Sequence, residues 1–238
     1  MKWLGVIAGK FRTLLSSLRA GKHGKCGAIA LHSVYKRLGL RSSISEIWTR
    51  VKLEDASGGF ISAGHSMCRH ALNRGLHAVY LTARYDRGIA LLGEAREQGI
   101  EVILNHVSLM NPKFRHFSIL KCIAGDRADL FDPTGNTSST MSASELLDMW
   151  GKLNEEGGGH TLLAVSKPIQ DSGECESCGH PIPAEVPCPN HQCRQAVPME
   201  PRWLLGCANR ECPAANWELL RCPSCGEDIE DLKSWSPW

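Results

Sequence analysis

Eight of the eleven cysteines in this 238-residue chain lie between positions 175 and 225. They form four short pairs: Cys175 with Cys178, Cys188 with Cys193, Cys207 with Cys212, and Cys222 with Cys225. Four thiolates bind one zinc ion tetrahedrally, and a short turn allows both sulfurs of a pair to reach the same ion. All-cysteine sets are typical of structural zinc, because a catalytic ion keeps one position open. The eight cysteines therefore predict two structural Zn²⁺ sites.

The spacing of the pairs predicts how they are shared between the two ions. Nine residues separate Cys178 from Cys188, and nine separate Cys212 from Cys222. The two halves thus have mirrored patterns, C-x2-C-x9-C-x4-C and C-x4-C-x9-C-x2-C. This symmetry favours sequential pairing, with two neighbouring pairs on each ion, over a nested arrangement in which the first and last pairs share one. The segment resembles a double zinc ribbon.

A different cysteine chemistry is predicted at Cys26, which directly precedes a helical pattern over residues 27–38. A helix N-terminus places unpaired N–H groups and the positive end of the dipole beside the sulfur, which favours a thiolate nucleophile. His116 begins one β-type run and Asp132 ends the next, with a Gly-Asp turn between them. We expect the two to face each other at the open end of this hairpin, His116 as general base and Asp132 as the group that orients it.

The other candidates in this half are predicted to be structural. Cys68 and Cys122 lie within apolar patterns that are typical of a protein interior. His106 is the rival base, ten residues before His116, but it lacks the following strand pattern and the carboxylate partner.

The elements that must position these residues form an α+β pattern over residues 22–168. Helical periodicity covers residues 27–38, 44–51, 66–74, 89–98 and 142–150. β-rich runs cover residues 78–82, 102–106, 116–123, 129–131 and 161–165. A basic amphipathic helix is predicted over residues 1–21, packed on its own domain or, alternatively, lying on an anionic membrane surface.

The three catalytic candidates lie in segments that resemble the double-glycine leader peptidases, a branch of the papain-like cysteine peptidases. The matching segments are KCGAIAL at 25–31, HFSIL at 116–120 and FDPTG at 131–135. The resemblance implies a papain-like fold, with Cys26 as nucleophile, His116 as general base and acid, and Asp132 as its orienting group. It also implies cleavage of a peptide or protein tail after small residues such as Gly-Gly. The chain departs from the family at Ala20, where a glutamine usually helps form the oxyanion hole, and at Lys25, where an acidic residue often stands.

Charge divides the chain at the same place as cysteine content. Residues 1–169 hold 22 Lys+Arg against 14 Asp+Glu, a balance of +8, whereas residues 170–238 hold 5 against 11, a balance of −6. We therefore expect a zinc module over 172–229 after the peptidase domain, and a tryptophan-containing tail over 230–238. The acidic balance of the module opposes contacts with phosphate, so its expected partner is a protein rather than a nucleic acid.

The sequence thus leads to one main functional prediction and two alternatives. The main prediction is a cytoplasmic thiol peptidase, because no segment predicts export and reduced thiols favour metal over disulfides. The first alternative is a catalytically silent adaptor that binds peptides in the former cleft, which Ala20 favours. The second is a nucleic-acid factor built from a basic domain and zinc ribbons. The substrate and the oligomeric state stay open at this level.

Overall fold

The computed structural model describes residues 24–55, 58–108, 114–152, 159–170, 173–230 and 232. The predicted first helix, with Ala20, lies outside the described residues, and so do the two tryptophans at the end of the predicted tail. Within the described ranges, no helix is long and apolar enough to cross a membrane.

Five helices and twelve strands make up the described chain. The helices are α1 (Cys26–Arg37), α2 (Ile44–Val51), α3 (Gly64–Leu72), α4 (Gly88–Glu97) and α5 (Ala143–Gly151). The first eight strands are β1 (Lys52–Glu54), β2 (Phe60–Ser62), β3 (His77–Ala83), β4 (Glu101–Val107), β5 (Arg115–Ala124), β6 (Arg127–Asp132), β7 (Thr137–Ser142) and β8 (Thr161–Ser166). The last four are β9 (Glu185–Pro187), β10 (Ala196–Pro198), β11 (Trp217–Arg221) and β12 (Asp228–Ile229), with a 3₁₀ turn at Arg202–Leu205.

Eight of the strands form one antiparallel sheet in the order β12-β11-β3-β8-β4-β5-β6-β7. The predicted α+β architecture is confirmed, because the helices come first and an antiparallel sheet dominates later. The two strands at one edge of this sheet, β12 and β11, come from the cysteine-rich segment. Leu220 of β11 pairs with Leu81 of β3, so this segment extends the sheet that carries the rest of the chain.

The sheet is buried on both faces, which explains the nearly continuous apolar sequence of its central strands. In β4, Val102 and Leu104 pack into one core cluster, which includes side chains of α4, α5 and β11. Ile103 points to the opposite face, as alternation along a strand requires, and packs with side chains of α1, α2 and α3. The helix that starts at Cys26 is therefore held against the sheet by its apolar face.

A glycine immediately after the cysteine allows the start of α1 to approach its neighbours closely. A Cβ atom at Gly27 would lie 2.6 Å from the sulfur of Met67 and 2.6 Å from Cβ of Ser62. Both distances are far inside van der Waals contact, so a larger residue would push the helix start away from α3 and β2. Gly27 thus fixes the position of Cys26.

Candidate active site and metal centres

Cys26 is the first residue of α1 and is 4% exposed. The side chain of the N-cap residue, Lys25, makes no capping hydrogen bond, and the positive end of the helix is directed at the sulfur by backbone groups. Ser62 at the end of β2 ties the preceding loop to the helix: its hydroxyl accepts a hydrogen bond from the N–H of Ala28 at 3.2 Å. The same hydroxyl donates to the carbonyl of Gly24 at 2.9 Å. The cysteine predicted from the helix pattern is thus held at a rigid helix N-terminus.

His116 and Asp132 meet as the hairpin prediction requires, although they are not register partners. His116 on β5 pairs with His106 on β4. Asp132 on β6 follows Phe131, which pairs with Ile119 of β5, so Asp132 and His116 are not directly opposite each other. His116 Nε2 lies 3.0 Å from Asp132 Oδ1, off the axis of an ideal N–H···O hydrogen bond.

The turn after β6 fixes the carboxylate. Asp132 Oδ1 accepts hydrogen bonds from the backbone N–H of Thr134 at 2.8 Å and of Gly135 at 3.4 Å. The residues that follow Asp132 in the FDPTG segment therefore supply the donors that hold it toward His116.

The pKa values of this pair favour opposite charges. Burial acts to lower the pKa of His116, but hydrogen bonds and charge from Asp132 and Cys26 outweigh it and raise that pKa to about 9. Burial acts to raise the pKa of Asp132, yet His116 and the two backbone N–H groups lower it to about 2. At neutral pH an imidazolium thus lies between a carboxylate and the Cys26 sulfur, and such a cation stabilises a neighbouring thiolate.

The remaining residues considered from the sequence lie around this group. His106 hydrogen-bonds Ser118 Oγ at 2.9 Å through Nε2 and the carbonyl of Val107 at 2.8 Å through Nδ1. Burial lowers its pKa to about 4, and its ring lies 5.8 Å from that of His116, so it supports the site as a neutral side chain.

Neither of the other two cysteines outside the metal groups contacts the candidate triad in the described structure. Cys68 is fully buried in α3. Cys122 is half-buried on β5 and contacts Asp129 Oδ2 at 3.3 Å.

A cleft of about 410 Å³ opens beside Cys26. Its large apolar side chains are Leu53, Ile61, Phe114 and Phe117. Its polar lining includes Ser62, and Arg221 comes to it from the cysteine-rich segment. Sequence reasoning missed both residues, since a lone serine and a lone arginine carry no pattern. Arg221, in addition, reaches the cleft only through the long-range pairing of β11 with β3.

The eight clustered cysteines form two groups of four, but the sequential pairing predicted from their spacing is wrong. The first group is Cys175, Cys178, Cys207 and Cys212, and the second is Cys188, Cys193, Cys222 and Cys225. The first pair therefore joins the third, and the second joins the fourth.

The strands in the spacers explain this interleaved order. The nine residues between the first two pairs contain β9, and the nine between the last two contain β11. A five-residue strand such as β11 extends the chain by about 17 Å, which carries the next cysteine pair away from the preceding one.

The geometry of both groups fits a tetrahedral ion. Zinc–sulfur bonds of about 2.3 Å place the four sulfurs of a tetrahedron about 3.8 Å apart. Sulfur–sulfur contacts are 3.6, 3.8 and 4.0 Å in the first group and 3.5 and 3.9 Å in the second. The C-x2-C turns end at Gly179 and Gly226, both with positive φ, and each donates its N–H to the carbonyl of the first cysteine of its pair.

Paired substitutions test the interleaved order. We expect Cys178→Ser with Cys207→Ser to lower the bound metal from two ions to one, because both sulfurs belong to one group. Cys178→Ser with Cys193→Ser should weaken both sites. Elemental analysis of the purified chain measures the number of bound ions. Loss of one ion in Cys178→Ser with Cys193→Ser, and weakening of both sites in Cys178→Ser with Cys207→Ser, would show sequential pairing instead.

No family model matches the chain, and neither does any curated protein. Among the solved structures that are similar to this chain are two peptidases. A double glycine motif protease from an AMS/PCAT transporter, in complex with the leader peptide, has 17% identity and a TM-score of 0.42, covering 60% of this chain and 84% of that one. The peptidase domain of Streptococcus ComA, a bi-functional ABC transporter involved in quorum sensing, has 14% identity and a TM-score of 0.45, covering 61% and 93%. Because both TM-scores are below 0.5, the function rests on the geometry of the site.

Proposed function

We propose that the chain is a cysteine peptidase in which Cys26 is the nucleophile, His116 the general base and acid, and Asp132 the residue that orients and charges the imidazole. The observation that carries this proposal is the position of the His116 imidazole, which interacts with both Cys26 and Asp132. His116 Nε2 lies 3.0 Å from Asp132 Oδ1, and Cys26 is close enough to help raise the pKa of the same imidazole. The helix N-terminus behind the sulfur and the cleft beside it provide further support.

The proposed reaction has two steps. The Cys26 thiolate attacks the carbonyl carbon of the scissile peptide bond, and the carbon–nitrogen bond breaks as His116 gives its proton to the leaving amine. The acyl group is then a thioester on Cys26. His116, now neutral, takes a proton from water, and the resulting hydroxide attacks the thioester to release the carboxylic acid and the thiolate.

Backbone N–H groups at the start of α1 would stabilise the oxyanion. The first N–H groups of a helix have no intrahelical partner, which leaves that of Cys26 suited to the role. Losing one donor of an oxyanion hole lowers kcat by about 10²–10³-fold. Ala20, in place of the glutamine usual in the family, therefore predicts a slow enzyme.

The sequence resemblance guides the proposed substrate, which is a peptide or protein tail cut after small residues of the Gly-Gly type. The two groups of four cysteines would hold Zn²⁺ as structural ions, since soft thiolates in a tetrahedral set select that metal. In a cytoplasm such thiols stay reduced. A protein partner recruited by the acidic module completes this proposal.

A peptide library derived from a proteome digest tests the proposal. We expect the wild-type chain to generate new N-termini directly after small residues, Cys26→Ala to generate none, and Cys122→Ala to retain the activity. Uncleaved peptides with a metal-loaded wild-type chain would instead favour the silent adaptor, the alternative to which Ala20 points.

Activity should also depend on the protonation of His116. Its pKa in the folded chain is raised from 6.5 to about 9, so the stabilising charge pair with Asp132 is complete below pH 6.5 and lost as the pH rises through 9. We expect cleavage to decline with an apparent pKa near 9, because a neutral imidazole cannot donate to the leaving amine.

Asp132→Asn provides the control for this pH dependence. Removing the carboxylate charge should move the alkaline decline toward lower pH, since that charge helps to raise the pKa of His116. Initial rates between pH 5 and 10 measure the shift. An unchanged alkaline limb in Asp132→Asn would show that another group controls it.

A further inference from the structure

The two cysteine groups have the same ligands but different surroundings. The second group belongs to the cleft wall: Arg221, Cys225 and Gly226 line the same cavity as Cys26. These residues flank or belong to the C-x2-C turn at 222–226, which we call the second knuckle. No cysteine of the first group lies among the described residues that line this cleft.

The second knuckle is fixed against the helix that borders the cleft. Arg69 of α3 donates a hydrogen bond from Nη1 to the carbonyl of Ser224 at 3.0 Å. Gly226 packs on His65, also in α3, so closely that a Cβ atom there would lie 3.0 Å from Nδ1 of the imidazole. The knuckle is thus seated on the wall of the cleft rather than extended into solvent.

The sheet supports the same placement. β11 pairs with β3 and leads directly into the second knuckle. Its last residue, Arg221, lies over the ring of Tyr80 at 6.0 Å, and Asp228 Oδ1 is 3.0 Å from Arg221 Nε. Tyr80 itself lines the cleft.

The first group lies toward the other end of β11. Its Cys212 precedes β11, and the carbonyl of this cysteine accepts a hydrogen bond from Arg84, which follows the end of β3. The two groups therefore occupy opposite ends of one strand, and only the second contributes to the cleft lining.

We propose that the second metal group forms part of the substrate-binding site. Its ion holds the second knuckle as one wall of the cleft, and a peptide substrate binds between this wall and the apolar side chains of the opposite side. This inference rests on the proposed peptidase function. It gives the two metal groups different roles, the first stabilising the module and the second also shaping the cleft.

The C-x2-C turn at 175–179, which we call the first knuckle, and the second knuckle offer a matched pair of variants. Gly226 and Gly179 occupy the same position after a C-x2-C pair and both have positive φ, at 81° and 67°. An alanine suffers similar backbone strain at either site, but at Gly226 its Cβ would meet His65, whereas at Gly179 none of the described residues lies within 4 Å. Cys225→Ser and Cys178→Ser form a second pair, each removing an exposed ligand.

The experiment compares two alkylating reagents on the full chain. Iodoacetamide is small, so its rate reports the reactivity of Cys26 alone. Fluorescein maleimide is bulky, so its rate also depends on how closely the cleft walls surround Cys26. The modified tryptic peptide over residues 26–36 reports on Cys26. In Cys225→Ser we expect the ratio of maleimide to iodoacetamide rates to rise at least about threefold as the wall is released, and in Cys178→Ser to stay near that of the wild type.

A peptide cleaved by the wild type provides the second measurement. We expect its KM to rise about tenfold in Cys225→Ser and in Gly226→Ala, corresponding to about 1.4 kcal/mol of lost binding. The two matched variants of the first knuckle should change it little. Equal reagent ratios and equal KM values in the matched variants would overturn the inference. Failure of the peptidase proposal would give a different result, because the wild-type chain would then cleave no peptide. The ratio of reagent rates would still test the role of the second knuckle as a wall.

Discussion

His116→Ala is expected to lower kcat/KM for peptide cleavage by about 10³–10⁴-fold, because proton transfer and thiolate stabilisation depend on the same imidazole. Asp132 and Cys26 both act on His116 and, against the effect of burial, raise its pKa to about 9. Without the ring, Cys26 lacks both the cation that stabilises its thiolate and the acid that protonates the leaving amine. Steady-state kinetics on a peptide identified from the library measure the loss.

His32→Ala serves as the control for this substitution. His32 also lies on the described helix α1, and its Nδ1 hydrogen-bonds Ser42 Oγ at 2.9 Å, but it does not line the cleft with Cys26. We expect activity within about threefold of the wild type. If His116→Ala kept more than about a tenth of the wild-type activity, the imidazole would not be the proton carrier.

Removing both metal ions should unfold the cysteine-rich segment and release its strands from the main sheet. Structural zinc supplies on the order of 10 kcal/mol of folding free energy in isolated zinc-finger peptides. The core cluster at the first cysteine group is small, with Cys175, Cys207, Cys212 and Ala215 as its buried residues. Trp217 on β11 is fully buried, and its indole N–H donates to the carbonyl of Cys207 at 2.7 Å. We expect chelation to shift the emission of Trp217 to longer wavelength and to abolish peptide cleavage.

Trp217→Phe identifies the source of that signal. The red shift should become smaller in this variant, because only the half-buried Trp203 of the same segment would remain to supply it, whereas Trp150, on α5 in the main core cluster, should report no change. Unchanged fluorescence and unchanged cleavage after complete removal of metal would mean that the segment folds without its ions.

Sequence patterns predicted the parts of the fold that depend on local periodicity. Each helix and strand predicted for residues 22–168 is present to within two residues at either end, because apolar spacing reports directly on a buried face. β7, with sequence TSSTMS, was not predicted, since this largely exposed edge strand has almost no apolar alternation. The exposed hairpin of β1 and β2 lacks such a pattern for the same reason.

The candidate triad was accessible from the sequence because each member sits at the end of an element that has a clear pattern. Cys26 starts a helix, and Asp132 ends a strand. The interleaved cysteines were not accessible, because β9 is only three residues long and gives no signal within its spacer. The contribution of Arg221 to the cleft depends on β11 pairing with β3 across more than a hundred residues, which no local pattern predicts.

The most direct test of the central claim is the rate at which iodoacetamide alkylates Cys26 at neutral pH in the wild-type chain and in His116→Ala. We expect the wild-type residue to react at least about tenfold faster, with the rate at Cys122 unchanged between the two proteins. Equal rates at Cys26 in the two proteins, with Cys122 the faster of the two cysteines, would contradict it.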